Sequence, residues 1–182
     1  MNWTFKSVLG CLLAFTFLSL HAVQAGTLEK VLERGYLRCG ITESGPGFSH
    51  VNEVGERAGF EIDHCKTIAA AIFGDLKVEY LMVTPHTAFT LLQSGGIDIF
   101  PAGATLSFRR DTQMGLDFTG VYFYGGQGFI VRKDSGVEKV ADLAQATICI
   151  TQGTTLEQNT ADYFDARGLE YKPLTFAGVE QA

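Results

Sequence analysis

The stretch Phe60–Phe100 reads FEIDHCKTIAAAIFGDLKVEYLMVTPHTAFTLLQSGGIDIF and changes its hydrophobic period three times. From Phe60 to Phe73, Ile62, Cys65, Ile68, Ala69 and Ile72 recur at helical spacing, and Gly74 supplies a stop. Val78 to Val83 is rich in apolar and aromatic residues and reads as a strand. A helix from about Thr87 to Gln93 follows, ended by Gly95 and Gly96, and Ile97 to Phe100 reads as a further strand. Upstream, Thr27 can cap a helix carrying Leu28, Val31 and Leu32 on one face and stopped by Gly35, before a strand at Tyr36 to Ile41. Strands separated by helices in this order form a βαβαβ unit, for which a parallel sheet is the economical arrangement.

A second set of elements begins downstream. Gln127 to Arg132 and Thr147 to Ile150 read as strands, Leu156 to Arg167 as a helix and Tyr171 to Phe176 as another strand, with a helix start at Gly178 to Ala182. No repeat period, low-complexity tract or flexible linker is visible, so Gly120 to Gly126 is the natural crossing between two lobes. The expected fold is therefore α/β, with lobe one over residues 26–122 and an incomplete lobe two over 123–182. A strand beyond Phe176 would be needed to complete that second sheet. The residues after a leader suffice for one sizeable core and are few for two.

Residues 1–25 contain no acidic residue, one lysine at Lys6, and an apolar run from Val8 to Leu20 ahead of Val23-Gln24-Ala25. This is the pattern of a secretory leader cleaved after Ala25, the apolar run being too short for a membrane span. A lipidated Cys11 is the rival reading, and it fits poorly because most of the apolar run follows the cysteine. The formal charge of −6 becomes one unit more negative once Lys6 leaves, which disfavours nucleic acid as a partner. Cys39, Cys65 and Cys149 remain. An oxidising compartment permits a bridge between Cys39, on a strand, and Cys65, on the following helix; the alternative is that both are small buried hydrophobes. Cys149 is left over, and no pair has metal-ligand spacing.

The chemistry concentrates between Gly95 and Tyr124, GGIDIFPAGATLSFRRDTQMGLDFTGVYFY. A guanidinium presents a planar fork that matches a carboxylate, and a neighbouring hydroxyl adds a donor without adding charge, so Arg110 and Thr105 are candidates for holding a small acid. Thr151–Glu157, TQGTTLE, follows an apolar strand and leads through Gly153, Thr154 and Thr155 into a helix whose free N–H groups can face an anion. Arg109 reads as a solvated charge, and Asp117-Phe118 as structural. Gly125-Gly126-Gln127-Gly128 precedes a strand and opens no helix, which disfavours a phosphate cradle. No nucleophile elbow and no zinc-type histidine pair occurs, so no cofactor is expected.

Several ordered segments together resemble the periplasmic amino-acid-binding proteins of ABC importers, extracellular solute-binding protein family 3, and within it the general L-amino-acid-binding type. They are GTLEKVLERGYLRCGI at Gly26 to Ile41, GFEIDHCKTIAAAIFGD at Gly59 to Asp75, FTLLQSGGIDI at Phe89 to Ile99, SFRRDTQMGLDFTGVYFYGGQGFIVRK at Ser107 to Lys133, and CITQGTTLEQNTADYF at Cys149 to Phe164. The resemblance implies a type II periplasmic-binding-protein fold, two lobes that close on a ligand between them. It implies that Arg110 grips the ligand's α-carboxylate with help from Thr105. Gly103 would offer a carbonyl to the α-ammonium, and Thr155 with the adjoining Thr154 would add the second lobe's contact. Phe48 and His86 would line the cleft. At three places the chain departs from the family pattern: Gly45 stands where an aromatic is common, Gly103-Ala104 where polar residues are usual, and the ammonium-neutralising acid would follow Ala182.

The function so implied is capture of free L-amino acids in the periplasm and delivery to the membrane subunits of an ABC permease, by a monomer that is not an enzyme. Two other readings remain. One is a truncated chain of this kind without ligand function. The other is a secreted enzyme like the cyclohexadienyl dehydratases, for which only Glu43 suggests itself as a general acid.

Overall fold

In the computed structural model, residues 26–178 are described, apart from Ser44 and Pro46. The expected leader, the rival at Cys11 and all but the first residue of the helix expected from Gly178 lie outside the described residues.

The first half is built around a parallel pair. Strand β1 (Leu37–Ile41) runs beside β4 (Val78–Met82), with Leu37 opposite Val78 and Ile41 opposite Met82. Between them in sequence come a short antiparallel hairpin, β2 (His50–Val51) with β3 (Arg57–Ala58), and helix α2 (Phe60–Phe73). Helix α1 (Thr27–Arg34) precedes β1, and α3 (Pro85–Ser94) follows β4. Each of these three helices ends at a left-handed glycine, at Gly35, Gly74 and Gly95.

Burial follows the helical spacing where the helix meets the sheet. Ile62 and Cys65 of α2 are fully buried against Cys39 and Ile41, with Val78, Tyr80 and Ile99 packed around them, and Ala69 is fully buried against Val31 and Leu37. Cys39 and Cys65 form a disulfide. Helix α1 uses less of its expected face: Val31 is buried against Leu37 and Ala69, while Leu28 and Leu32 stay exposed. Its N-cap is Gly26, with no side-chain cap bond, so Thr27 is the first helical residue and not the cap.

The strand expected at Ile97 to Phe100 is reduced to one parallel bridge between Ile99 and Cys39 on the far side of β1 from β4. A side chain takes over part of the pairing there. The Asp98 carboxylate accepts the Arg38 N–H at 2.7 Å and is paired with the Arg34 guanidinium. Asp98 is 5 % exposed and Arg34 18 %. Asp98→Ala would leave a nearly buried guanidinium and a backbone N–H without their acceptor. A loss of about 3 kcal/mol is expected, read as a lower urea midpoint with an unchanged slope.

The second half holds another parallel pair, β5 (Thr147–Thr151) beside β6 (Lys172–Phe176), joined by helix α5 (Thr155–Asp165) and preceded by a 3-10 turn at Val140–Leu143. Phe164 is fully buried here among Leu143, Ile148 and Ile150, with Phe129, Tyr163 and Tyr171 around it. The strand expected at Gln127 to Arg132 does not form. Its side chains do reach neighbours: Gln127 Nε2 donates to the Leu156 carbonyl and Thr160 Oγ1, and Phe129 packs on Phe164. Its backbone has no ladder partner among the described residues, and Ile130 is fully exposed. A β-rich sequence without a neighbouring strand stays merely extended. Cys149 on β5 is a free, exposed cysteine.

Candidate functional site

Two helices aim the side chains of interest. The start of α3 is fixed by a reciprocal pair, Thr87 N–H donating to Thr84 Oγ1 and Thr84 N–H donating to Thr87 Oγ1, with Pro85 at the first helical position. This sets His86, which is exposed, and Phe89, one turn on, along one face. A short helix, α4 (Phe108–Gln113), absent from the sequence reading, carries Arg110; its N-cap Ser107 accepts the Arg110 N–H. A serine three residues before Arg110 was the available sign.

Arg110 is 9 % exposed, and its guanidinium lies over the Phe89 ring, 4.5 Å from the centroid. Nη1 donates to the Thr105 carbonyl at 2.9 Å and Nη2 to the Gly153 carbonyl at 3.2 Å. The fork thus joins the loop of the first half to the turn of the second. Beside it, the Thr105 and Thr155 hydroxyls are hydrogen-bonded at 3.1 Å. Among the described residues no carboxylate pairs with Arg110, and burial pushes its pKa down from the ordinary value. Arginine's intrinsic basicity still keeps it charged.

Gly153 closes the arrangement. Its φ is +72°, and a Cβ there would stand 2.9 Å from His86 Cα, so only glycine lets the turn approach α3 this closely. Its N–H donates to Glu157 Oε2 at 3.1 Å. The Thr154 hydroxyl donates to the Thr151 carbonyl at 2.8 Å, inside the turn. The Gly153 amide lies ahead of the Thr154 N-cap, outside the first-turn N–H groups of the helix itself. Glu157 thus reaches past the Thr154 amide that a T-x-x-E capping box would use and takes the Gly153 amide instead.

Of the sequence candidates, Arg110, Thr105, Gly153, Thr155 and the backbone of His86 converge. Phe48 sits in an aromatic group, edge-on to Phe123 at 5.2 Å and to Phe60 at 6.5 Å. Phe60 in turn meets Tyr122, which stacks on His64 at 4.9 Å and donates its hydroxyl to the Pro101 carbonyl. Burial raises the Tyr122 pKa, countered by its hydrogen bond with the Gly103 backbone and reinforced by nearby Glu61. Gly103 itself is exposed, in a left-handed turn with its N–H donating to Pro101. Tyr122 thus ties the crossing segment to the Pro101–Gly103 turn, leading towards Thr105. A separate hollow on the second half is lined by Gln127, Gly128, Phe129, Val140, Asn159 and Tyr163, none of them a sequence candidate. No group of metal-binding side chains occurs among the described residues.

The sequence pattern of the bacterial extracellular solute-binding proteins, family 3, matches residues 37–166. The chain belongs to that family. Among its family 3 relatives, the putative amino-acid ABC transporter-binding protein YhdW of Escherichia coli K12 is 41% identical over 94% of this chain and 51% of its own length. The general L-amino acid-binding periplasmic protein AapJ of Rhizobium johnstonii is 41% identical over 88% of this chain and 47% of its own. In structure, an ABC transporter periplasmic binding protein from Brucella ovis with glutathione bound superposes with a TM-score of 0.79 at 42% identity, over 87% of this chain and 50% of that one. The fold is the α/β type II periplasmic-binding-protein fold, and the chain spans about half the length of these family 3 relatives.

Proposed function

We propose that this protein captures free L-amino acids in the periplasm for an ABC permease, by closure of two lobes on the ligand. Lobe one covers residues 26–122 and lobe two residues 123–182. The observation that carries the reading is the convergence of a partly desolvated guanidinium, Arg110, with the Thr105 and Thr155 hydroxyls across the two halves. In such a place a carboxylate exchanges neutral acceptors for itself and gains charge-assisted bonds from the fork. In this reading Thr154 and Gly103 contribute backbone groups to the cleft, His86 borders it, and Phe48 acts at one remove, through the aromatic group that holds the crossing segment. An L-amino acid is the ligand class because AapJ is named for it. The glutathione held by the Brucella ovis relative also carries free carboxylates. A Cys39–Cys65 bridge suits an exported protein, and with it the leader over residues 1–25. The protein works as a monomer, and no step of catalysis is proposed.

A second reading, a chain of this family without ligand function, is favoured by the extended Gln127 to Arg132 segment, which has no strand beside it among the described residues, and by its fully exposed Ile130. Titration calorimetry with a panel of L-amino acids separates the two. A sample shown to be folded by circular dichroism is expected to give micromolar binding with at least one. Heats absent across the panel from that sample would overturn capture in favour of the second reading.

A further inference from the structure

Gly153 is held from three sides. Its N–H goes to Glu157, its carbonyl receives Arg110, and its Cα abuts His86. The N–H and the carbonyl belong to successive peptide planes, so once the first plane is fixed, only rotation about the Gly153 Cα decides where the carbonyl points. At Gly153 that rotation is limited by the His86 backbone packed against its Cα, so fixing the amide fixes the carbonyl. Glu157 occupies the third helical position of α5, from which a capping-box side chain normally returns to the N-cap amide, here that of Thr154. Its carboxylate instead reaches the Gly153 amide, one residue outside the helix. A bond to Thr154 would serve the helix alone; a bond to Gly153 fixes the turn that meets Arg110.

We propose that Glu157 is a positioning residue of the cleft: by holding the Gly153 amide it aims the Gly153 carbonyl at the Arg110 fork and so sets the contact between the two halves. The Thr154 hydroxyl, bonded to the Thr151 carbonyl, braces the same turn from inside. The Gly153 N–H is thereby spent, and the acidic ligand is met at the turn by the Thr155 hydroxyl and the donors beyond it. This consequence for capture rests on the proposed function; the positioning itself does not.

The test uses the full chain, labelled with nitrogen-15, as wild type, Glu157→Ala and Glu157→Gln. Amide exchange at Gly153 is expected to be about tenfold faster in Glu157→Ala, the size expected on loss of a charge-assisted hydrogen bond. The glutamine, which keeps an oxygen acceptor, should bring it back to within about threefold of wild type. The separate guanidinium N–H signals of Arg110, resolved while its fork is held, should merge in Glu157→Ala and reappear in Glu157→Gln. A plain helix cap would accelerate exchange throughout the first turns of α5 and leave Arg110 unmoved, and that result overturns the proposal. So does unchanged Gly153 exchange in a folded Glu157→Ala protein. Affinity for whichever amino acid the wild type binds should fall about tenfold in Glu157→Ala and recover in Glu157→Gln. If the wild type binds none, the proposed capture falls, and the Gly153 and Arg110 signals still decide the role of Glu157.

Discussion

Arg110→Ala is expected to weaken amino-acid binding by roughly a hundredfold or more while leaving the circular dichroism spectrum unchanged. Hydrogen bonds to charged groups contribute about 1.5 to 3 kcal/mol each, and the fork offers two. Part of that is already invested in the Thr105 and Gly153 carbonyls, which a ligand must displace or share. A net loss of about 3 kcal/mol therefore follows, and each 1.4 kcal/mol is a factor of ten. Alanine also removes the guanidinium from the Phe89 ring and cuts a direct bond between the two halves, so closure itself is weakened. Arg110→Lys separates charge from shape. It keeps a cation near Phe89 but cannot span two acceptors as a planar fork, and an intermediate loss of roughly tenfold is expected. Calorimetric titration with the amino acid that the wild type binds most tightly measures both. Affinity within threefold of wild type in Arg110→Ala would remove Arg110 from the site.

Helices α1, α2, α3 and α5 and the two parallel strand pairs were legible because their signals are local; the short helix α4 and the β2–β3 hairpin were not read. The spacing of Ile62, Cys65 and Ala69 and the stops at Gly35, Gly74 and Gly95 need nothing beyond neighbouring residues. Gln127 to Arg132 carries an equally good strand sequence but pairs with no strand among the described residues, because pairing depends on a second strand and no property of the segment supplies one. The same division holds at the site. Arg110, Thr105 and the Gly153–Thr155 turn are recognisable by residue type, and Ser107 and Glu157 by capping pattern. That Phe89 underlies the guanidinium, that His86 abuts Gly153, and that the fork is already engaged by two carbonyls depend on how separated segments meet in space. Family resemblance narrowed the roles of Phe48 and His86 to lining a cleft. The structure adds that Phe48 belongs to the aromatic group around Phe123 and Phe60, and that the Cα, Cβ and N of His86 crowd Gly153.

Removing the Cys39–Cys65 bridge by the paired substitution Cys39→Ala with Cys65→Ala is expected to lower stability by about 3 kcal/mol, the amount that chain-entropy accounting assigns to a loop of this size. The two cysteines are 26 residues apart in sequence. The site of the bridge makes the effect global. Cys39 lies at the centre of β1, where it pairs with Tyr80 on one side and Ile99 on the other, and Cys65 lies on the face of α2 that covers that strand. Both are fully buried. The bridge therefore fastens helix to sheet inside a cluster that touches β1, β4 and the Ile99 segment together. Paired serines should be worse than paired alanines by about 1 to 3 kcal/mol for each hydroxyl left without a partner in that apolar cluster. Burial also makes a kinetic prediction: a reducing agent should not open the bridge in the native protein at an appreciable rate, and reduction should follow the opening of α2 from β1. Urea titrations of the alanine and serine pairs, with thiol labelling of the wild type under reducing conditions, measure these effects. Rapid labelling of Cys39 and Cys65 in native protein, or an alanine pair as stable as wild type, would show that β1 and α2 hold together without the bridge, on the apolar contacts of Ile41 and Ile62 alone.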